Sequence, residues 1–414
     1  MTYRCLVTAF FIFLLSFSLS DAFAEDLVSA EQLPAWFAES LQDEKNVTLR
    51  SYLKIHELDI SKKVMGELEI APAGDTAWYI VNDIGTASPL DCYVLTEFDG
   101  PATSLYNMVE YGLHDAAEFN DKPLSGMRTF SVEHGLTAQV PYLALDTLYN
   151  LGEGEQMVTG ILKSMSAQVG DNLLICMHNE IGFRNTFKTV FQTFVEALKT
   201  GITVKPFFKT ITEASINGKP VGYSLEAYYV DDIGDVRKER QTSMLAPKGP
   251  VALLRSDTGS YSWSDADGWL INASEYKVAN GKLNYWLDIE ATDSSWLLSG
   301  TLGDSDVSET LDYEGHILSE YGSHLVTFMQ SQNGFNNRTY KMWLADQSPG
   351  DVSDVTMKAA EPEQDADFTV ATQGMTMLNK IDNTGVIKQS SATTIFGTIE
   401  LKRVFLNGSP VIEQ

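Results

Sequence analysis

The pattern of apolar and polar positions predicts three helices in the first half of the chain. In the clearest one, apolar residues recur every three or four positions, and Gly201 follows the last turn. The apolar positions of this helix are Phe187, Val190, Phe191, Phe194, Val195 and Leu198. A second helix is predicted from Pro101 to Leu113, with Asp99 as its cap and the proline in its first turn. A third helix is predicted after the N-cap candidate Ser29.

Strand-like runs separate these helices and complete the pattern of the first half. The runs are Val64–Ile70, Thr76–Ile84, Leu90–Phe98, Tyr142–Tyr149, Met157–Ala167 and Leu173–His178. Mixed helices and short strands of this kind predict an α+β domain over residues 25–205, in which helices flank an antiparallel sheet.

Strand alternation dominates after Pro206, and it predicts a mostly antiparallel β half-barrel or curved-sheet domain over residues 206–414. Asn217 and Gly218 are typical of a two-residue hairpin turn. On the strand that follows, the face predicted to point inward carries Val221, Tyr223, Leu225, Ala227 and Tyr229. Ser224 and Glu226 lie at the alternate positions and are therefore predicted to point outward.

The rest of this region predicts further strands and one acidic loop. The strands are Val236–Leu245, Val251–Arg255, Gly259–Trp263, Trp269–Ala273, Leu283–Glu290, Trp296–Leu302, His324–Gln330, Phe368–Leu378 and Thr394–Phe405. Residues 345–367 contain many acidic and few apolar side chains, which predicts a solvated loop or linker.

Two family resemblances accompany this organisation. The segment Ser-Ile-Asn-Gly-Lys-Pro-Val-Gly-Tyr-Ser at residues 215–224, with the long strands after it, resembles the opening hairpin of envelope proteins that have the lipoprotein-carrier half-barrel. That resemblance covers about residues 207–405 in pattern and implies a curved antiparallel sheet around an apolar cavity. The α+β region that ends in Phe187–Leu198 is similar in outline to small domains of the photosystem oxygen-evolving P-subunit type, which implies no residue roles.

The N-terminus has the pattern of a cleavable secretory signal over residues 1–24. Arg4 precedes a short apolar run, and the segment ends in Ala22-Phe23-Ala24, an A-x-A cleavage site. The apolar run is shorter than the roughly 20 residues that a membrane helix needs. We therefore expect a periplasmic or secreted protein with no membrane span after processing; the alternative is a permanent anchor helix.

The formal net charge of −27 narrows the classes of partner. Such a surface repels nucleic acid and anionic membranes at long range, so we expect neither as a partner. Arg237, Lys238 and Arg240 form a basic cluster in this acidic chain. Because strand alternation separates Arg237 from the other two, we expect a solvated strand face and not a single anion site.

Cys92 and Cys176 are the two cysteines that remain after signal removal, and each lies in an apolar strand-like run. An even number in an oxidising compartment indicates a disulfide. Two buried free thiols are the alternative. If the bond forms, the two residues should lie on neighbouring strands of the first domain.

No motif in the sequence identifies a catalytic residue, a metal ion or a cofactor. His178 and Glu180 could share a metal at the end of a strand, but no third ligand is visible in the sequence, and a strand-end histidine beside a solvated glutamate explains them more simply. Asp265-Ala266-Asp267-Gly268 resembles part of a calcium loop without its remaining ligands, and an Asp-Gly turn explains it.

Aromatic residues of the β domain are the candidate ligand-binding positions: Tyr223, Tyr229, Tyr261 and Trp263. Tyr261 and Trp263 share one strand face, where aromatic side chains can stack on sugars or pack across strands. The hydroxyls of two inward-facing tyrosines need partners, which a pocket with a polar mouth supplies. The alternative is ordinary sheet packing.

These observations favour a non-catalytic envelope protein that binds an amphipathic small molecule, a glycan or another envelope protein through its β domain. A second hypothesis is a hydrolase of envelope glycan or peptide that uses two carboxylates about 5–10 Å apart in a cleft. A third is a structural partner subunit without a small ligand.

Overall fold

The computed structural model describes residues 33–202, 204–248, 252–372, 374–394 and 397–412. The predicted signal sequence and the cap Ser29 lie outside the described residues. The helices are α1 (Ala35–Ser40), α2 (Pro101–Phe119), α3 (Arg184–Leu198) and α4 (Glu320–Asn333). The strands of the first half are β1 (Leu49–Ile55), β2 (Ile60–Met65), β3 (Glu67–Pro72), β4 (Ala77–Asp83), β5 (Leu90–Leu95), β6 (Leu124–Thr137), β7 (Val140–Leu151), β8 (Val158–Val169) and β9 (Asn172–His178).

Strands β10 to β23 follow. They are β10 (Phe208–Ile216), β11 (Lys219–Val230), β12 (Val236–Pro247), β13 (Leu253–Ser264), β14 (Leu270–Ala279), β15 (Lys282–Ala291), β16 (Trp296–Leu302), β17 (Ser305–Leu311), β18 (Arg338–Trp343), β19 (Val352–Ala359), β20 (Phe368–Thr372), β21 (Met375–Ile381), β22 (Ile387–Thr394) and β23 (Gly397–Gly408). The protein is thus β-rich, and its sheets are mostly antiparallel, curved and not closed. Among the described residues, no helix combines the length and the apolar character that a membrane crossing requires.

The chain divides into two compact units. The N-terminal unit comprises the described residues between 22 and 204 and those between 243 and 257, and the C-terminal unit comprises those between 205 and 242 and from 258 onward. Residues 243–257 lie in the sequence region predicted as the second domain, but they pack with the first unit. The domain boundary between Lys199 and Phe208 stays a prediction, which limited proteolysis can test.

The N-terminal unit has an antiparallel seven-stranded sheet in the order β3-β4-β5-β9-β8-β7-β6, with β1 and β2 as a separate hairpin. Helices α2 and α3 pack on opposite faces of this sheet. Met177 of β9 lies beside Gly112 of α2, whereas the next residue, His178, packs its ring 6.2 Å from that of Phe187 in α3. Successive side chains of a strand point to opposite faces, so these contacts place the two helices on different sides.

A carboxylate that is distant in sequence caps α2. Asp257 accepts hydrogen bonds from the backbone N–H groups of Ala102 and Thr103 at 3.0 and 2.8 Å. Gly100 occupies the N-cap position with a φ of +126°, and the proline lies in the first turn as predicted. The prediction of Asp99 as the cap is wrong, because Gly100 separates it from the helix and the buried N–H groups of the first turn donate to Asp257.

The predicted disulfide is confirmed. Cys92 on β5 and Cys176 on β9 are direct cross-strand partners, with their Cα atoms 4.0 Å apart. Both side chains are buried in the core cluster that also contains Phe191 and Phe194 of α3. The bond therefore joins the centre of the sheet beneath α3.

The C-terminal unit contains most of a fourteen-stranded sheet. Its order is β17-β16-β15-β14-β13-β12-β11-β10-β23-β22-β21-β20-β19-β18, so that β10, the first strand in sequence, pairs with β23, the last. The terminal strands of this order, β17 and β18, do not pair with each other, and the sheet stays open. Helix α4 packs against residues of this sheet.

Two predictions for this region are wrong. Residues His324–Gln330, predicted as a strand, belong to α4, because Ser319 caps a helix there and its hydroxyl accepts a hydrogen bond from Gly322 N–H. Residues 345–367, predicted as a loop, contain β19, in which Val352, Val355 and Met357 are buried while the acidic Asp354 faces out. The acidic composition of that stretch concealed a half-buried strand.

Candidate functional site

Helix α4 is held against the sheet by a close approach between two glycines. Gly268 lies in the turn between β13 and β14 with a φ of +88°, and a Cβ atom there would stand 2.3 Å from the Cα atom of Gly322. The carbonyl oxygen of Gly268 also accepts a hydrogen bond from Ser319 N–H at 3.0 Å. A side chain at either glycine would push the helix away, so these residues set the position of its first turn.

The first two turns of α4 present Glu320, Tyr321 and His324 to the sheet. The ring of Tyr321 lies 6.0 Å from that of Tyr228 on β11, and the ring of His324 lies 5.3 Å from that of Phe208 on β10. These aromatic contacts bury the apolar part of the interface, whereas the two ionisable side chains of the helix meet polar partners.

Glu320 lies at the centre of a buried ion-pair cluster. Its carboxylate pairs with both Lys238 and Arg240 of β12. Arg240 also forms a 2.8 Å salt bridge with Glu275 of β14, and Lys238 contacts the hydroxyl of Ser260 at 3.0 Å. Lys238 is only 2% exposed, so the cost of removing its charge from water must be offset by these partners.

Burial has a direct effect on the protonation of this cluster. It lowers the pKa of Lys238 well below its ordinary value, and the neighbouring charge of Arg240 acts in the same direction, while Glu226 and Glu275 oppose it. The expectation of a solvated basic face is therefore wrong for Lys238 and Arg240. Their alternation away from Arg237 is as predicted, since the Arg237 guanidinium lies over the ring of Tyr229 at 4.5 Å.

A second set of polar side chains extends the ion-pair cluster around Glu320 along β14 and β15. Lys277 pairs with Asp346 at 2.9 Å, and the hydroxyl of Tyr285 donates to Glu275 at 2.6 Å. Burial raises the pKa of Asp346, although the charge of Lys277 opposes this change. Charged side chains thus occupy part of the interior beside α4, next to the aromatic contacts of Tyr228 and Tyr321.

A pocket of about 130 Å³ lies between α4 and the strands β10, β11, β22 and β23. Its polar lining includes Thr210, Thr212, Ser224, Glu226, His324 and Arg403. The Glu226 carboxylate lies 3.2 Å from Nε2 of His324. The guanidinium of Arg403 pairs with Asp382, which orients it at the wall of the pocket.

The electrostatic surroundings keep Glu226 ionised. Burial alone would raise its pKa, but the hydrogen bond and charge of His324, together with the charges of Lys238 and Arg240, lower the pKa below its ordinary value. The lining also includes Lys388, Gln389 and Ser390, so the pocket offers a charged acceptor, a histidine, two cationic side chains, an amide and four hydroxyls. This set of groups can form hydrogen bonds with a hydroxylated or otherwise polar molecule.

The face of β11 predicted to point inward is buried at Val221, Tyr223 and Ala227, but the opposite face is buried in part as well. Ser224 and Glu226, predicted to point outward, line the pocket beside α4, and Tyr228 between β10 and α4 shares their face. Tyr223 is buried and Tyr229 partly exposed at the alternate positions. Strand alternation was right, but the assumption that glutamate marks the solvent side was wrong, because His324 and two cations compensate its charge.

Neither of the two pockets beside α4 is lined by more than one of the four aromatic candidates. Tyr261 borders a small second pocket next to Lys238, Glu275 and Glu320, although its own side chain is 37% exposed. The indole N–H of Trp263 donates to the hydroxyl of Tyr261 at 2.7 Å, so these two form a pair of their own. Neither Tyr223 nor Tyr229 lines the pocket around Glu226.

The two metal candidates have ordinary structural roles. His178 is buried beside the carbonyl of Ser88, at 3.2 Å from its Nε2, and burial together with the charge of Lys163 lowers its pKa to about 3. The carboxylate of Glu180 accepts from the N–H of Ser88. In the described parts of the chain, no cluster of three or more His, Cys, Asp or Glu residues could hold a metal ion.

Asp265 forms the turn that the sequence indicates. Its carboxylate accepts hydrogen bonds from the N–H groups of Asp267 and Trp269 at 3.0 and 2.8 Å, and its N–H bonds the carbonyl of Trp269. These bonds occupy the side chain that a calcium loop would need as a ligand.

Comparisons with known proteins transfer no function to this chain. No family model matches it, and no curated protein does. One similar solved structure is that of a beta-barrel-like protein of a domain of unknown function, DUF1849, from Brucella abortus. It is 10% identical, the alignment covers 50% of this chain and 99% of that chain, and the TM-score is 0.39. The match says nothing of the lipoprotein-carrier or photosystem-subunit families.

Proposed function

We propose that this chain is an exported, non-catalytic binding protein of the cell envelope, and that its C-terminal unit binds a polar, hydroxylated ligand such as part of a glycan. The observation that carries the proposal is the pocket beside α4. It combines the ionised Glu226 with His324, Arg403 and four hydroxyl-bearing side chains. Sugars offer hydroxyls that can both donate to a carboxylate and accept from a guanidinium.

The pocket chemistry favours a polar ligand over an amphipathic one. The lining combines charged and hydroxyl groups with Val386, Ile387 and Leu401. The neighbouring interior is occupied by the cluster of Lys238, Arg240 and Glu275 around Glu320. An acyl chain placed there would remove these groups from their partners without replacing the hydrogen bonds. Of the ligands considered from the sequence, an amphipathic molecule, a glycan or an envelope protein, we therefore retain the glycan.

Binding is favoured over hydrolysis by the count of carboxylates. Among the described residues that line this pocket, Glu226 is the one carboxylate. Glycoside hydrolysis ordinarily needs two, about 5–10 Å apart across the scissile bond. A charged acceptor tied to a histidine can hold a hydroxyl without any chemical step.

Export is supported by the N-terminal signal pattern and by the disulfide between Cys92 and Cys176. Structural disulfides persist in oxidising compartments and are rare in the cytosol. The mature chain should begin at Glu25. Intact-mass measurement on protein from the envelope fraction tests this, and a full-length mass with membrane retention would contradict it.

Ligand binding is tested by thermal-shift and NMR titration of the mature protein with neutral and acidic oligosaccharides, with fatty acids as a comparison class. We expect an oligosaccharide to stabilise the wild type and to lose affinity by at least about tenfold in Glu226→Gln, which keeps the shape of the side chain but removes its charge. Asp354→Asn is the control, because that carboxylate belongs to an exposed ion pair with Lys341.

Three results would count against the proposal. One is the absence of any stabilising oligosaccharide, which would favour the structural-partner hypothesis. The second is equal affinity in Glu226→Gln and the wild type. The third is tighter binding of a fatty acid than of any sugar, which would restore the amphipathic ligand.

A further inference from the structure

The N-terminal unit contains a second cavity that the proposed function does not use. It has a volume of about 310 Å³ and lies at the N-terminal end of α3. Its apolar wall consists of Leu41, Phe130, Ile161 and Ile181. Its polar wall consists of Glu44, Asp146, Lys163 and Arg184, with Gln42 and Asn185 beside them. The volume falls in the range of small-molecule sites.

Lys163 is the central polar group of this cavity. It lies on β8 directly across from Asp146 of β7, and it is only 2% exposed. Its amine donates one hydrogen bond, to the carbonyl of Glu180, and it forms no salt bridge within the part of the chain that the structure describes. A lysine ammonium has three N–H donors, so this buried charge has donor capacity to spare.

The carboxylates of the cavity, in contrast, are already supplied with donors. Glu44 accepts from the N–H groups of Asn185 and Thr186 at 2.9 and 2.8 Å and from the Thr186 hydroxyl at 2.6 Å. Asp146 accepts from the hydroxyl of Ser131 at 2.8 Å and lies 3.4 Å from the Arg184 guanidinium. Both carboxylates therefore already have donors, and an acceptor bound in the cavity would lie beside the amine of Lys163.

The protonation state of the Lys163 amine also favours an acceptor in the cavity. Burial lowers the pKa of Lys163 to about 8, although the charges of Asp146, Glu180 and Glu44 oppose this change. The amine is therefore still mostly protonated at neutral pH. An anionic oxygen placed next to it would compensate the charge where burial disfavours it.

We propose that this cavity binds a small carboxylic acid with an apolar body. The carboxylate would accept hydrogen bonds from Lys163, and the apolar body would lie against Leu41, Phe130 and the two isoleucines. The Arg184 guanidinium lies on the same polar wall, where it pairs with Glu133 at 3.1 Å and lies 3.4 Å from Asp146. This site is independent of the pocket in the C-terminal unit.

The test uses hexanoate and phenylacetate as probes, with 1-hexanol and hexanamide as uncharged comparisons, on the mature protein. At about 10 mM acid we expect the melting temperature of the wild type to rise by roughly 3–5 °C, whereas the alcohol and the amide should have little effect. Lys163→Met should abolish the rise. Lys62→Met, at an exposed position of β2 in the same unit, should retain it.

A second measurement on the wild type does not depend on the folding of a variant. Reductive methylation of Lys163, followed by peptide mass spectrometry, should slow at least about threefold in the presence of hexanoate, while methylation of Lys62 should not change. The proposal is overturned if neither acid shifts the melting temperature, if the alcohol acts as well as the acid, if Lys163→Met keeps the shift, or if the labelling rate of Lys163 is unchanged.

Discussion

Replacing Glu320 by Gln tests whether the buried cations of the C-terminal unit depend on one carboxylate. In the native protein this side chain pairs with Lys238 and Arg240, and it comes from a helix, whereas the cations come from the sheet. The amide keeps the size of the side chain and removes its charge. Any change in the free energy of unfolding then reports on electrostatic compensation and not on packing.

The expected loss in the free energy of unfolding follows from the partners that each cation keeps. Arg240 keeps its 2.8 Å salt bridge with Glu275, so it loses only one of its two carboxylate partners. Lys238 is 2% exposed and keeps the hydroxyl of Ser260 as its direct partner, with the charges of Glu226 and Glu275 nearby, so its compensation is reduced but not lost. Leaving a buried charge uncompensated costs about 3–5 kcal/mol. Because the Glu320 side chain is itself 31% exposed, we expect a loss of about 3 kcal/mol at pH 7.

Two further measurements separate this explanation from a general loss of packing. The double variant Lys238→Met with Glu320→Gln should recover at least about 2 kcal/mol relative to Glu320→Gln alone, because it removes the uncompensated charge. The loss in Glu320→Gln should also shrink as the pH rises. Burial lowers the pKa of Lys238, so the folded state releases the lysine proton at a lower pH than the unfolded state does. The free energy of unfolding therefore increases as the pH rises above the folded-state pKa.

The assay is urea denaturation followed by circular dichroism and tryptophan fluorescence between pH 6 and pH 9. The control is Asp354→Asn, which breaks the exposed ion pair with Lys341 and should change the free energy of unfolding by less than about 0.5 kcal/mol. The reasoning is refuted if Glu320→Gln is as stable as the control, or if Lys238→Met restores nothing.

Three other outcomes follow from the N-terminal unit and the boundary. Replacing Cys92 and Cys176 together by Ala should lower the free energy of unfolding by about 4–5 kcal/mol, the value of the chain-entropy model for a separation of 84 residues. Free thiols in the unreduced, denatured protein would contradict the disulfide. Burial raises the pKa of Asp257 to about 6, although the hydrogen bonds from α2 act to lower it. The folded state therefore binds the proton of this carboxyl group more tightly than the unfolded state does. The free energy of unfolding should therefore fall by about 2–3 kcal/mol from pH 4 to pH 6.5, and an unchanged pH slope in Asp257→Asn would rule out this group as the cause. Limited proteolysis should cut first between Lys199 and Phe208, and early cuts inside residues 243–257 would show that this segment does not pack with the N-terminal unit.

Much of the local structure could be predicted from neighbouring residues. The apolar spacing from Phe187 to Leu198 identified α3, and the apolar runs around Cys92 and Cys176 indicated two strands and a bond between them. Strand alternation also separated Arg237 correctly from Lys238 and Arg240. These features depend on contacts within one turn of helix or along one strand, which periodicity describes directly.

The residues of the candidate site were missed for two reasons. Glu226 was assigned to the solvent side because a glutamate is rarely buried without a partner, and its partner, His324, is 98 residues away in sequence. The prediction of a strand over His324–Gln330 also concealed this partner, because His324 lies in α4. The signal that could have corrected both was Ser319, a helix N-cap followed directly by Glu320.

The sequence by itself determined which side chains of a strand or helix share a face, since that depends only on the period of the backbone. Only the tertiary structure decided which face is interior, because alternation is the same for both sides of a sheet. It also decided which charges can be buried. Lys238, Glu275 and Glu320 are separated by tens of residues, and each is compatible with the interior only when strands and helix bring the opposite charges together.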